Sequence, residues 1–266
     1  MLGKSTSRTL QNQYIIKKYN ENCYKLIFFK FDIKQSGYEV DRKIIIDKVE
    51  KEIGKEECNI SRTRSKIWEY ASCNKFDAFI TLTLNKDKMN RYDLDAFIKA
   101  LGQFIRDNRK RKGSDIEYVL IPEKHKDGAY HMHGLIKGIN SEELKAFTLQ
   151  DKIPIQIKNL IKQGRTIYNW LPYSEKFGWV TLEEIQNQEA VSKYITKYIK
   201  KDVGVSVNEK NKKSYYCSRG LKKAEVIKKG TFPTSLRNAL QFDFENDYVG
   251  LIDLNSLDYE NLSGIL

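Results

Sequence analysis

All three histidines of the chain, His125, His131 and His133, fall within nine residues. His131 and His133 are one residue apart in YHMHGLIKG. On a β-strand the period of two carries both imidazoles to one face and sends Met132 to the other, so both rings can reach one metal ion. The preceding apolar run, IEYVLIPE, ends at Glu123. A hairpin between the two runs brings that carboxylate within range as a third, oxygen ligand, and His125, in the turn itself, is the alternative. Two nitrogens and one carboxylate leave positions open on the ion. Metal-assisted phosphoryl transfer needs such positions, because the ion must take a non-bridging phosphate oxygen and polarise the phosphorus. With oxygen in the ligand set and more from a phosphate substrate, magnesium or manganese is expected rather than zinc. Gly134, next to the pair, is expected to let a ligand backbone approach.

An isolated His-x-His is more often two polar groups on a solvent face, so a second constellation carries weight. Residues 191–201 read VSKYITKYIKK. Tyr194 and Tyr198 are four apart and share a helical face, with Lys197 and Lys201 each three residues beyond a tyrosine. A phenol with a pKa near 10 is a poor nucleophile at neutral pH, so a neighbouring ammonium that stabilises phenolate is chemically useful. The same stretch also reads as an amphipathic helix whose Val191, Ile195 and Ile199 stripe is core.

The elements that must position these groups follow from pattern. Short strands are expected at Tyr14-Ile15-Ile16 and Leu26-Ile27-Phe28-Phe29, and a helix from Ser61 to Cys73 with Arg62 and Arg64 in its first turn. FDAFITLTL at 76–84 alternates as a strand. Asp93 caps a helix with the stripe Leu94, Phe97, Ile98, Leu101, Phe104 and Ile105, ending in the basic run Arg109-Lys110-Arg111-Lys112-Gly113. The two strands at 116–123 and 130–138 form the hairpin. Residues 141–149 read as helix, 150–175 as a loop-rich insertion with Pro154 and Pro172, 177–185 as strand, and 188–202 as the tyrosine helix. The sum is an α+β fold, one antiparallel sheet covered by helices.

The formal charge is +12, which attracts phosphate backbones or anionic surfaces. Its distribution is sharper: residues 191–230 hold 12 Lys/Arg against 3 Asp/Glu, with Tyr194, Tyr198, Tyr215 and Tyr216 among them. Cations that track phosphates, interleaved with rings on which bases stack, suit single-stranded nucleic acid. Lys193, Tyr215, Tyr216 and Arg219 of this stretch, with Arg62, Arg64, Arg109, Lys110 and Arg111 outside it, are the residues expected to contact nucleic acid. From Asn238 onward six Asp/Glu and no Lys/Arg make an acidic segment. The expected organisation is an N-terminal accessory segment at 1–60, the catalytic domain at 61–230 and an acidic tail at 231–266. Four scattered cysteines without CxxC spacing argue against a zinc ribbon or a disulfide framework. No apolar run reaches bilayer-spanning length and the start does not read as a secretory leader, so a cytoplasmic protein with no membrane partner is expected.

Together these residues resemble the three ordered motifs of HUH-superfamily rolling-circle replication initiators, closest to plasmid and phage initiators of the gene II protein type. FITLTLN at 79–85 resembles the first motif, HMHGL at 131–135 is similar to the His-hydrophobic-His motif, and YITKYIKK at 194–201 resembles the two-tyrosine third motif. The resemblance covers about residues 60–225, and Glu123 precedes His131 by the interval at which related viral initiators place an acid. It implies a sheet of about five antiparallel strands bearing the metal site, as in an HUH endonuclease or RRM-like core, with the tyrosine helix beside it. It also implies a site-specific single-strand endonuclease and transesterase. A tyrosine attacks a phosphodiester of single-stranded or extruded origin DNA, forming a 5′-phosphotyrosine and freeing a 3′-hydroxyl that primes replication. Tyr198 is expected to attack first and Tyr194 to carry the second transfer. With no G-x-x-x-x-G-K-[ST] loop in the chain, a host helicase and polymerase are the expected partners. A mobilisation relaxase, a single-strand transposase and a non-catalytic DNA-binding relative are the alternatives.

Overall fold

The computed structural model describes residues 8–10, 13–30, 33–36, 39–40, 55–195, 213–233, 240–246 and 249–264. In chain order the strands of the first segment are β1 (Arg8–Leu10), β2 (Gln13–Asn20), β3 (Cys23–Phe29), β4 (Ile33–Ser36) and β5 (Glu39–Val40). Then come α1 (Lys55–Cys73), β6 (Ala78–Thr83), α2 (Leu94–Lys112), β7 (Glu117–Lys124), β8 (Tyr130–Lys137) and β9 (Leu144–Ala146). After these follow α3 (Ile155–Lys162), β10 (Ile167–Trp170), α4 (Leu171–Lys176), β11 (Val180–Glu184) and a helical stretch, α5, described over 188–195. The chain closes with β12 (Tyr216–Cys217), β13 (Glu225–Thr231), β14 (Phe244–Glu245), β15 (Val249–Leu254) and α6 (Ser256–Ser263).

Two compact units result, one of Ile60–Leu221 and one that joins Met1–Asn59 to Lys222–Leu266. In the second, a five-stranded antiparallel sheet runs β13-β2-β3-β15-β14, so strands from both ends of the chain interleave. Alternation on β2 and β3 buries Tyr14, Ile16, Tyr24, Leu26 and Phe28 on one face, where Phe232, Leu240 and Phe242 join them. The acidic C-terminal segment therefore has a place: Asp253 on β15 meets Lys25 at 2.9 Å, and Glu245 on β14 meets Lys30 at 2.5 Å.

The larger unit holds an antiparallel sheet ordered β12-β7-β8-β6-β11-β10-β9. This is the expected α+β fold: five strands of four to eight residues, extended by a short strand at each edge to seven. The two faces are lined by alternate residues. Ala78, Ile80 and Leu82 of β6, Leu120 of β7, Met132 and Ile136 of β8 and Val180 and Leu182 of β11 pack against Leu94, Phe97, Leu101, Phe104 and Ile105 of α2. Asp93 caps α2 by accepting from the Ala96 amide at 2.9 Å, and Gly113 ends it in the left-handed region, as the pattern predicts. On the other face Val119, Ile121 and Leu135 pack with Ile67, Tyr70 and Ala71 of α1 and with Val191 and Ile195 of α5.

Three sequence-based expectations are corrected. Residues 141–149 are not helical but form a single 3-10 turn at Ser141–Glu143 followed by β9, because the edge of β10 offers backbone partners that outweigh local propensity. The stretch 150–175 is not a loop but α3, β10 and α4, anchored by fully buried Trp170 and Tyr173. Pro154 is the N-cap of α3 and Pro172 stands in the first turn of α4, positions where a missing N–H costs nothing, so they start helices instead of breaking them. Finally, α1 begins at Lys55, which puts Arg62 and Arg64 beyond its first turn.

A candidate metal centre on one face of the sheet

The hairpin register builds the centre. Across β7 and β8, Glu123 is the direct partner of His131 and Ile121 of His133, so Glu123, His131 and His133 share one sheet face. The connecting loop is a tight turn from His125 to Gly128, closed by the Gly128 amide on the His125 carbonyl and the His125 amide on the Ala129 carbonyl, both at 2.8 Å. Gly128 takes φ 83, the left-handed residue that a three-residue hairpin loop needs.

His131 Nε2 lies 2.9 Å from His133 Nε2 and 3.3 Å from Glu123 Oε2, and His133 Nε2 lies 3.0 Å from the same oxygen. Three ligands at right angles around an ion, each about 2.1 Å from it, stand about 3.0 Å apart. The donor set therefore fits a divalent cation with open positions, and Glu123, His131 and His133 could hold one. All three are withdrawn from solvent, with His131 only 6% exposed.

The two rings are oriented differently. His133 Nδ1 lies 3.0 Å from Thr81 Oγ1, on the next strand and in direct register with it. If the ring donates from Nδ1 to that hydroxyl, its Nε2 lone pair points toward the ligand cluster. His131 Nδ1 is buried without a hydrogen-bond partner among the described residues. Its ring instead lies flat against His125, with centroids 3.9 Å apart and planes 21° from parallel. Stacked in this way, His125 supports a ligand and is not part of the cluster of ligand atoms. Burial, with His131 alongside, holds the His125 pKa below the ordinary imidazole value.

The tyrosine helix reaches the same face. Tyr194, 44% exposed, meets Phe79 edge to face at 5.6 Å, and Phe79 in turn lies over His133 at 6.0 Å. Tyr198, Lys197 and Lys201 lie outside the described residues.

The other expected DNA contacts separate. Arg62 is exposed and Arg64 partly buried on α1, which covers the face that carries His131 and His133. Lys193, exposed on α5, pairs with Glu189 at 2.7 Å. Tyr215 lies on the histidine-bearing face beside Tyr70, where burial raises its pKa, while alternation sends Tyr216 to the opposite face of edge strand β12. Arg219 is exposed in the turn after β12. Arg109, Lys110 and Arg111 end α2, which packs on the opposite face, and Arg109 donates to the Ile116 carbonyl at 3.1 Å through Nε. Gly134 also has a role different from the expected one. Its missing Cβ would point to the α2 side, 2.1 Å from the Val119 carbonyl oxygen, so the glycine permits close approach of β7 and not of a ligand.

Sequence reasoning missed Thr81 and Phe79 as neighbours of His133. Both stand in the alternating FITLTLN strand, but which residues face the histidines depends on a cross-strand register that a single strand does not specify.

Residues 77–203 match the model of a family described as replication-associated proteins of the ORF2 and gene II protein type. The matched stretch contains Glu123, His131, His133, Thr81 and both tyrosines. No curated protein and no solved structure matches the chain. Among the described residues no helix is long and apolar enough to cross a membrane.

Proposed function

We propose that the protein initiates rolling-circle replication by nicking and rejoining single-stranded origin DNA through a 5′-phosphotyrosine. The observation that carries this reading is the convergence of Glu123, His131 and His133 on the sheet face that Tyr194 reaches through Phe79. A bound magnesium or manganese would supply charge to a non-bridging phosphate oxygen and raise the electrophilicity of the phosphorus. The protein's own groups do the rest. A tyrosine hydroxyl attacks the phosphorus and the 3′-oxygen leaves, so the bond energy is kept in the phosphotyrosine and the step is reversible. Lys197 and Lys201 favour the phenolate as the proton departs, and Thr81 and His125 keep the two imidazoles aimed at one point. Tyr198 makes the first attack and Tyr194 the second transfer. A host helicase and polymerase then extend the freed 3′-hydroxyl.

The test is a single-turnover assay with a labelled single-stranded origin oligonucleotide and manganese, followed by mass spectrometry of the covalent adduct. Tyr198→Phe should abolish the adduct and Tyr194→Phe should retain it. The reverse pattern exchanges the two roles, and the absence of any adduct in the unaltered protein sinks the mechanism.

A further inference from the structure

Beyond the metal cluster, the same sheet face continues onto β11, β10 and β9. Thr83 is the direct partner of His131 and its amide donates to the Trp179 carbonyl at 2.8 Å, so Trp179 lies two strands from His131, about 10 Å away. Val180 and Leu182 point into the α2 side, and alternation therefore leaves Trp179 on the metal-bearing face. Its indole is backed by Phe147, with centroids 5.0 Å apart and planes 21° from parallel.

Trp179 lines a pocket of about 420 Å³. That volume is near the small end of ligand sites and suits a single base-sized ring, not a duplex. Its polar lining is Asn85, Asn169, Lys88 and Ser174, whose hydroxyl donates to the Leu171 carbonyl at 2.9 Å. Asn85 spends its Oδ1 on the Asp87 amide at 2.9 Å, which leaves its NH2 to donate. Asn169 sits between Tyr168 and Trp170, both turned to the α2 side, and so presents its amide on the Trp179 side. Lys88 is held at the rim by two carbonyls, Ser174 at 2.9 Å and Glu175 at 2.7 Å. An ammonium has three donors, so one remains with the charge. An aromatic plane, amides that read a base edge and one anchored cation are the parts with which proteins hold an unstacked base and its phosphate.

We propose that this pocket takes one nucleobase of the strand engaged at the metal centre, stacked on Trp179, read by Asn85 and Asn169 and followed by a phosphate at Lys88. It rests on the reading of this face as a site for single-stranded DNA, and it adds a way to fix which phosphodiester reaches the metal. A base held about 10 Å from His131 sets the register of the strand.

Binding of fluorescent single-stranded oligonucleotides without divalent metal, so that nothing is cut, tests it. Trp179→Ala should weaken binding about tenfold, and Trp179→Phe should restore most of it. A single abasic position walked along the oligonucleotide should cost the unaltered protein a similar factor at one place and cost Trp179→Ala nothing there. Asn169→Ala, which removes little packing, should change the preference among homopolymers and keeps the proposal testable if the alanine at 179 unfolds the protein. Equal affinity of Trp179→Ala and the unaltered protein, or an abasic cost that survives the substitution, overturns the pocket. So does competition by free mononucleotides at oligonucleotide concentrations, which would make it a nucleotide site. Manganese titration of the same samples separates the two readings. If oligonucleotide and metal both bind but Trp179 is indifferent, the pocket falls alone; if the unaltered protein binds no single strand, the initiator reading falls with it.

Discussion

The two faces of the central sheet are made by the same strands, yet they are filled differently. On β8, Tyr130, Met132 and Ile136 face α2 and are buried among aliphatic and aromatic neighbours, while His131 and His133 interleave with them on the other side. On β6, Ile80 and Leu82 stand back to back with Phe79, Thr81 and Thr83. One face is filled by a single apolar core, whereas the other packs apolar residues against α1 and α5 beside the polar groups that surround the histidines. The period of two lets a site be rigid without contributing its own packing, because its neighbours two residues along the strand hold the backbone.

If the faces divide stability from chemistry in this way, the largest effect on activity should come from the metal side. His131→Ala with His133→Ala, or EDTA treatment of the unaltered protein, is expected to reduce nicking to background while the thermal midpoint moves by only a few degrees. A collapse of the fold in the double variant would show that the two histidines are structural after all. On the opposite side, Leu82→Ala should lose about 2–5 kcal/mol in denaturant unfolding, as large-to-small changes in a packed core do, with the manganese affinity of the folded fraction unchanged. Gly134→Ala joins the two faces. A Cβ 2.1 Å from the Val119 carbonyl must push β7 away, so a loss of about 1–3 kcal/mol should be accompanied by weaker manganese binding, because Glu123 travels on the same strand. Stability lost without any change in metal affinity would mean that the hairpin end moves independently of its middle.

The smallest effect should be the most local. Thr81→Val removes the hydroxyl beside His133 Nδ1 and keeps the shape, so manganese affinity should fall about 10- to 100-fold in calorimetric titration with little change in thermal midpoint. Thr81→Ser should restore it. An unchanged affinity in the valine variant would show that packing under Phe79, not the hydrogen bond, orients the ring.

Local pattern settled what neighbouring residues decide between themselves. His-x-His on an alternating strand, the hairpin that brings Glu123 to it, the Asp93 cap and the α2 stripe are each short-range, and each is where the pattern put it. Even Glu123 was legible, because a tight hairpin converts distance along the chain into register. What lies between distant strands was not. Thr81 is 52 residues from His133, and Trp179 reaches the same face only because β11 pairs with β6. Residues 141–175 misled because their prolines and charges are equally compatible with loop and with helix starts. The buried Trp170 and Tyr173, and the free edge of β10, chose between the two. A lone strand states its period and not its partner, and for this chain the partners, set by packing across the sheet, decided what surrounds the candidate metal centre.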